Sequence, residues 1–303
     1  MTGGGSRALP PLLWLGADEV AAAMPPLEER LRLAEMTMTA LATPGASELP
    51  PKIGIHPRPQ DSFVHAMPAR LRAGDPMNDL VGMKWVAGFP ANNAAGMPAI
   101  SAVVVLNDAG TGLPVAILDG APITAQRTAA VSGVAIRHFG PGPVRPAGVP
   151  PDPAAATVHA AVIGAGVQGR SHLPVLGGVL PGCTVHVFDR HPERADELAD
   201  QARRTEGIGD AVVHETPRAA AEAADVVVTA ASFGPAGERQ QMTNAWLGPE
   251  ATVVPVDYAT YCAAEVPREA ALFLVDHRDQ FLANRAAGLF DGYPDPADSI
   301  GGA

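Results

Sequence analysis

The sequence predicts an α/β protein in two parts: an α+β outer domain over residues 1–145, then a doubly wound parallel sheet domain over residues 157–285. Three observations carry that expectation. Residues 140–153, GPGPVRPAGVPPDP, hold six prolines and three glycines, a composition that continues neither a helix nor a central strand, so a linker is expected at 146–156. Downstream of it, short near-continuous apolar runs alternate with helical stretches, the pattern of a parallel sheet covered on both faces. Upstream, strand-like runs gather around a hairpin, with helices at their ends.

In the outer domain, Pro26 suits a first helical turn. Leu27, Leu31, Ala34, Met38 and Leu41 then recur at three- and four-residue steps and form one apolar face. Strand-like runs follow from Ser62 to Met67, Leu80 to Val86 and Ile100 to Leu106. The turn-forming NDAGTG, Asn107 to Gly112, joins the last of these to Val115–Leu118 as a hairpin. APITAQRTAAVSGVAIRHF then reads as a helix with Pro122 early.

Beyond the linker, strands are expected at Val158–Ile163, Thr184–Phe188, Ala211–His214, Val226–Ala230 and Thr252–Val256, with Leu272–Val275 completing the set. Helices are expected from Gln168, over Pro192–Thr205 and over Pro217–Ala224. Pro174, Gly177 and Gly178 should shorten or kink the first of them. Residues 286–303 are left as a C-terminal tail.

Composition narrows the function. Of 303 residues 47% are apolar and 17% charged, a globular composition; 21 basic against 32 acidic side chains give a net charge of −11 and a pI near 5.2. That balance argues against nucleic acid or an anionic membrane as partner, since both need a basic surface. No apolar run is long enough to span a bilayer, and MTGGGSRALPPLLWLG does not read as a signal peptide. Cys183 and Cys262 form neither a disulfide framework nor a metal motif, so no metal is expected and a cytoplasmic location is.

The sharpest local signal is VIGAGVQG, a GxGxxG at Gly164, Gly166 and Gly169 between a strand and a helix. Gly164 permits the tight turn, Gly166 lets backbone approach a pyrophosphate, and Gly169 allows close helix–strand packing. Val167 and Gln168 open the helix whose free N–H groups and positive dipole end face the phosphates. Asp189 ends the next strand, twenty residues beyond Gly169. A carboxylate there accepts from the ribose 2′-hydroxyl and repels a 2′-phosphate, favouring NAD; Arg190 softens that preference and keeps NADP as the alternative. The segment is thus expected to form a Rossmann-type NAD(P) site.

Lys84 lies in the apolar strand LVGMKWVAGFP, and Arg127 in the first turns of the helix beginning near Pro122. If strand and helix converge, the pair builds a fixed positive pocket for a carboxylate or a phosphate; otherwise Lys84 emerges on a solvated face and Arg127 makes a surface ion pair.

These residues, together with FPANNAAGMPAIS, TGLPVAILDG, ITAQRTAA and GAGVQGRSH, resemble the ornithine cyclodeaminase/μ-crystallin family from about Trp14 to Gln280. The resemblance implies a usually dimeric protein whose outer domain carries substrate and dimer contacts and whose second domain binds NAD(P). The implied chemistry is hydride transfer at the Cα–N bond of an amino acid, or its reverse on an imine. It implies Lys84 and Arg127 as holders of the substrate carboxylate, with Lys52 of LPPK where the family often has an arginine. Thr124 is implied near the cofactor and Thr229 near the nicotinamide.

Two positions depart from the cyclodeaminase pattern. The acidic residue expected before MP, in the strand matching FVHAMP, is His65 here. The aspartate of VGGD or VGSD aligns with Ala259 in VPVDYATY, with Asp257 two residues earlier. Either His65 and Asp257 serve as acid or base, or His65 packs in its strand and Asp257 caps a turn. The C-terminus departs too: DPADSIGGA stands where family members continue through returning helices, so the chain is either truncated or uses Phe281–Leu289 as a reduced return segment.

The leading expectation is therefore an NAD(P)-dependent oxidoreductase acting on a small amino acid, keto acid or imine, the expected partners being such small molecules and a second copy of the chain in a homodimer. The alternatives are ornithine cyclodeaminase itself, a redox-neutral lyase making proline and ammonia from ornithine, and a non-catalytic cofactor-binding protein.

Overall fold

A computed structural model describes residues 11–59, 61–141, 157–232 and 236–303. The expected linker at 146–156 lies outside the described residues. Two compact units emerge, one of residues 1–24 and 43–124 and one of residues 25–42 and 125–303.

The first unit is built on a seven-stranded sheet. Its strands are β1 (Leu13–Leu15), β2 (Ser47–Glu48), β3 (Ile53–Ile55), β4 (Phe63–Leu71), β5 (Leu80–Gly88), β6 (Ile100–Asn107) and β7 (Pro114–Asp119), with α1 (Ala17–Ala22) after β1. The order is β1-β7-β6-β5-β4-β2, with β3 also on β4. All pairings are antiparallel except β1 with β7. The anticipated hairpin is present: Asp108 closes its loop by accepting from the Thr111 N–H at 2.7 Å. Strands β1, β2 and β3 were not anticipated. They are two or three residues long, too short for an alternating pattern to register.

The second unit begins with α2 (Leu27–Ala42), continues through α3 (Gly120–Phe139), and holds a five-stranded parallel sheet. Its strands are β8 (His159–Ile163), β9 (Cys183–Phe188), β10 (Ile208–Val213), β11 (Val226–Thr229) and β12 (Thr252–Pro255), in the order β10-β9-β8-β11-β12. The helices α4 (Val167–Val179), α5 (Pro192–Arg203) and α6 (Pro217–Glu222) connect them. Chain order reverses between β8 and β11, the switch point beside which doubly wound sheets bind ligands. The expected α/β class with a Rossmann-type sheet and a further α+β unit is the observed one.

Alternate residues of the parallel strands enter two separate cores. Ala160, Val162, Val185, Val187, Val226 and Val228 pack with Leu173, Leu176 and Leu198. Ala161, Ile163 and Val227 face Ala220, Ala221 and Met242. Both faces are covered, which is why these strands read as unbroken apolar runs.

Three expectations need correction. The apolar face of α2 belongs to the second unit, where Leu31 packs with Ala129, Ala130 and Val175; periodicity shows that a helix has an apolar face but not which neighbour buries it. Leu272–Val275 does not join the parallel sheet. After α7 (Glu265–Glu269), β13 (Leu274–Val275) pairs with β14 (Asp298–Ser299), the two flanking α8 (Arg278–Ala286). Finally, Pro174 does not end α4, which runs from Val167 to Val179, 13 residues in all. Gly177 allows this helix to lie against the turn between α5 and β10, since a Cβ there would meet the Glu206 carbonyl oxygen at 2.2 Å.

Residues after 286 are built into the second unit. Phe290 and Tyr293 pack around Ala259 and Phe281, and the Ile300–Gly302 turn lies against α2. No helix of the described residues is long and apolar enough to cross a membrane.

Candidate functional site

The glycine turn sits where β8 gives way to α4. Gly164 has a φ of +112°, in the region that favours glycine, and a Cβ there would meet the Ala230 carbonyl oxygen at 2.5 Å. A Cβ at Gly169 would meet the Gly164 carbonyl oxygen at 2.1 Å, so the helix packs directly on the turn. Gly166, by contrast, faces space with nothing within 4 Å, as an approaching pyrophosphate requires. Val167 and Gln168 supply the first helical turn; the Gln168 carbonyl accepts from His172 Nδ1 at 2.6 Å. His172 is fully buried and its Nε2 lies 2.9 Å from the Ser132 hydroxyl, which ties α4 to α3.

Asp189, at the end of β9, braces this turn. Its carboxylate accepts from the Ala165 N–H at 2.7 Å and from the His191 N–H at 2.9 Å. A cavity of about 180 Å³ opens here, lined by Gly164, Gly166, Asp189, Arg190, Arg194 and Tyr261 among others. The turn at residues 164–169, with Asp189 beside it and Arg190 lining the same cavity, thus suits a dinucleotide. Arg194 and Tyr261 were not anticipated. Arg194, in the first turn of α5, was legible from its place just after Asp189 and Arg190; Tyr261, arriving from beyond β12, was not.

On the other side of the switch point, Thr229 ends β11 and donates its hydroxyl to Asp257 Oδ1 at 2.8 Å. Asp257 also accepts from the Ala231 N–H at 3.1 Å and is only 6% exposed. Burial pushes its carboxyl up to about 6, against the pull of the Thr229 and Ala231 hydrogen bonds. Ala259, aligned with the cyclodeaminase aspartate, is buried among Phe281 and Tyr293.

Arg127 stands on α3 in this unit. Its side chain reaches solvent, yet crowding protein withdraws enough water to lower its pKa from the ordinary value; Asp276 and Tyr258 act in the opposite direction. Thr124, three residues earlier on the same helix, falls in the first unit.

The first unit gathers the remaining predicted residues. Cross-strand partners share a sheet face, and the pairs Gly54–His65, His65–Val86 and Met67–Lys84 put His65 and Lys84 on one face. His65 stacks on Phe63 with ring centroids 4.5 Å apart. Its pKa is lowered to about 4, first by desolvation and then by Lys52, His56 and Lys84. The ring is therefore neutral at neutral pH and is not an imidazolium acid. Lys52, His65 and Lys84 form one basic cluster, while Arg127 belongs to the other unit. His56 is an addition that the sequence had not singled out.

A unit built on a parallel sheet with a glycine turn at its switch point, and another with a basic cluster on its antiparallel strands, define a two-unit protein of the nucleotide-binding α/β class. The chain matches the ornithine cyclodeaminase/mu-crystallin family over residues 19–256 and belongs to it. It is 35% identical over 273 residues to the nodulation efficiency protein NfeD of Rhizobium meliloti, covering 90% of this chain and 77% of that protein. It is 27% identical over 234 residues to the ketimine reductase mu-crystallin of Mus musculus, covering 76% of this chain and 66% of the relative. Among solved structures, the Δ1-pyrroline-2-carboxylate reductase of Thermococcus litoralis in complex with NADH and L-proline superimposes with a TM-score of 0.77. There the identity is 23%, with 95% of this chain and 85% of that chain covered, a likeness of fold.

Proposed function

We propose that the protein is an NAD(P)-dependent oxidoreductase that reduces the C=N bond of a small imino acid, or oxidises the corresponding amino acid. The observation that carries this reading is the glycine turn braced by Asp189 at the sheet's switch point, a cradle shaped for a dinucleotide. When bound, that cofactor supplies or accepts a hydride; the protein's own residues bind and orient. Asp189 would accept from the adenosine ribose, favouring NAD, and Arg190 would tolerate NADP. Lys84 and Lys52 are charged to hold a substrate carboxylate, Arg127 carries the charge for such a task on α3, and positioning of this kind supplies much of a transfer rate. Thr124 and Thr229 would lie along the cofactor. The names of the mouse relative, a ketimine reductase, and of the archaeal structure, a pyrroline carboxylate reductase, agree with this chemistry.

Cyclodeamination is the less favoured reading. The aligned aspartate is replaced by Ala259, and the Asp257 carboxylate is buried and already bonded to Thr229 and Ala231.

A homodimer is proposed on a separate ground. Trp14, Ile53 and Trp85 share the sheet face opposite to Lys84 and are 65%, 70% and 44% exposed, an apolar surface suited to a second copy.

The test is to offer NADH, then NADPH, with preformed cyclic imino acids or with α-keto acids plus amines, and to follow the dihydronicotinamide absorbance. Its loss with one of these substrates is expected. A flat trace from protein that binds the cofactor, with proline formed from ornithine, would replace this reading with the lyase.

A further inference from the structure

His172 and Ser132 form a buried polar pair between α4 and α3. They are 0% and 5% exposed, and His172 Nε2 lies 2.9 Å from the Ser132 hydroxyl. On its other side, His172 Nδ1 lies 2.6 Å from the Gln168 carbonyl, which also accepts from the Ser171 hydroxyl at 3.0 Å. Gln168 is the second residue of α4, so its N–H is one of those at the helix start that have no intrahelical acceptor. Two buried side chains thus fix the helical turn that would face a bound phosphate.

The protons of the bridge have one arrangement. A carbonyl only accepts, so Nδ1 carries a hydrogen. Burial disfavours the charged ring, so Nε2 keeps its lone pair and Ser132 donates to it. The Thr128 carbonyl, 3.3 Å from the same hydroxyl, is the more distant acceptor. From the Gln168 carbonyl through the imidazole to the hydroxyl on α3, every acceptor has a donor.

Around this pair the interface is apolar and smooth. Ala129 and Ala130 of α3 pack with Val175 of α4 and Leu31 of α2, and a Cβ at Gly133 would meet Val175 Cγ1 at 2.6 Å. Small side chains bring the two helices close but specify their axial register weakly, whereas a satisfied buried polar pair specifies it well. That register has a consequence: α3 carries Arg127 five residues before Ser132, and α4 carries Gln168 of the phosphate-facing turn four residues before His172.

We propose that His172 and Ser132 are positioning residues, whose hydrogen bond sets α3 against α4 so that a carboxylate at Arg127 and a dinucleotide at the glycine turn stand at the separation hydride transfer requires. The inference rests on the oxidoreductase reading above. Each residue acts through the helix that bears it, and neither touches the substrate.

Two amide replacements separate the two ends of the imidazole. In His172→Gln the amide oxygen takes the place of Nε2 and accepts from Ser132. In His172→Asn the amide nitrogen takes the place of Nδ1 and donates to Gln168, but the side chain is too short to reach Ser132. The full-length proteins are compared with Δ1-pyrroline-2-carboxylate as substrate and pyrrole-2-carboxylate as a planar carboxylate that is not reduced. In the parent, saturating NADH should tighten pyrrole-2-carboxylate binding at least about tenfold. His172→Asn and Ser132→Ala should lose this tightening, yet bind NADH alone and pyrrole-2-carboxylate alone within about threefold of the parent. Their KM for the imino acid at saturating NADH should rise about tenfold, and kcat should fall about thirtyfold. His172→Gln should retain the tightening, and its kcat should stay within about threefold of the parent.

Retention of the tightening by Ser132→Ala and His172→Asn, whatever their melting temperatures, overturns the proposal alone, because a pair that only stabilises the fold leaves that ratio unmoved. A parent that binds both ligands without tightening does the same, as does a His172→Gln protein as impaired as His172→Asn. A parent that binds NADH but neither binds the carboxylate nor reduces an imine overturns it together with the reading it rests on. Should His172→Asn fail to fold, Ser132→Ala decides by the same criteria.

Discussion

In the parallel sheet of the second unit, four of the five residues of β8 are buried, whereas in the first unit only Val64 of the nine in β4 is. The two regions position chemistry by different means. The glycine turn is set by backbone packed against backbone, as when Gly169 lies on the Gly164 carbonyl, so its geometry is fixed by volume. The basic cluster of Lys52, His65 and Lys84 stands on a half-buried sheet whose registers place the residues but leave their ends in contact with water. A site of the first kind should break through sterics. One of the second kind should respond to charge and to association with a partner surface.

The largest expected effect separates fold from function within the glycine turn. Gly169→Ala places a methyl 2.1 Å from the Gly164 carbonyl oxygen, a backbone atom that cannot step aside. A loss of about 3 kcal/mol or more is expected in chemical denaturation. Gly166→Ala meets nothing within 4 Å and occupies an extended φ of −77°, so stability should stay within about 0.5 kcal/mol of the parent. NADH binding, measured by fluorescence titration, should nevertheless weaken at least about tenfold, since the methyl fills the space left for the pyrophosphate. Equal stability losses in the two variants would erase the proposed distinction between packing glycine and ligand glycine.

A smaller effect contrasts the two sheets. Leu176, fully buried among Leu173, Leu198 and Val162, should cost about 3 kcal/mol as Leu176→Ala. Trp85→Ala on the exposed face of the first unit should change subunit stability by only about 0.5 kcal/mol, yet move the sedimentation equilibrium toward monomer. A Trp85→Ala protein with an unaltered association constant would place the dimer surface elsewhere.

Legibility from sequence follows the same division. The parallel strands, the glycine turn and Asp189 were readable because strands buried on both faces are unbroken apolar runs and the turn needs glycine at fixed spacing. The partner of α2 was not, because an apolar stripe carries no address. Nor was the separate pairing of β13 with β14, a contact across 24 residues between two-residue strands. Tyr258, at a φ of 56°, was invisible as a left-handed position, since glycine and, less often, asparagine, aspartate or histidine are the residues that signal one in sequence. The bonds that hold Asp257 reach across 28 residues to Thr229 and 26 to Ala231. The residue could be named, but its engagement could not.

The mildest prediction concerns two histidines that reach the same lowered pKa by different routes. His186 sits on the parallel sheet between His159 and His214, its Nε2 2.9 Å from His159 Nδ1 and its Nδ1 2.8 Å from His214 Nε2. Its pKa is lowered to about 4 by burial first and then by the two flanking rings, with Asp225 opposing. His65 is lowered to about 4 by desolvation first, with Lys52, His56 and Lys84 adding their charge. In both cases the fold holds the neutral ring while the unfolded chain titrates near 6.5. Stability from these groups is therefore complete above that pH and declines as pH falls toward 4, because only the unfolded state takes up the proton. Denaturation midpoints measured between neutral and mildly acidic pH should show this decline, and His186→Leu should flatten it. The routes separate under charge: Lys84→Met and added salt should raise the His65 pKa, read from its ring proton NMR shift, while leaving His186 nearly unmoved. An unresponsive His65 would mean that desolvation alone sets it, and the basic cluster would lose its electrostatic unity.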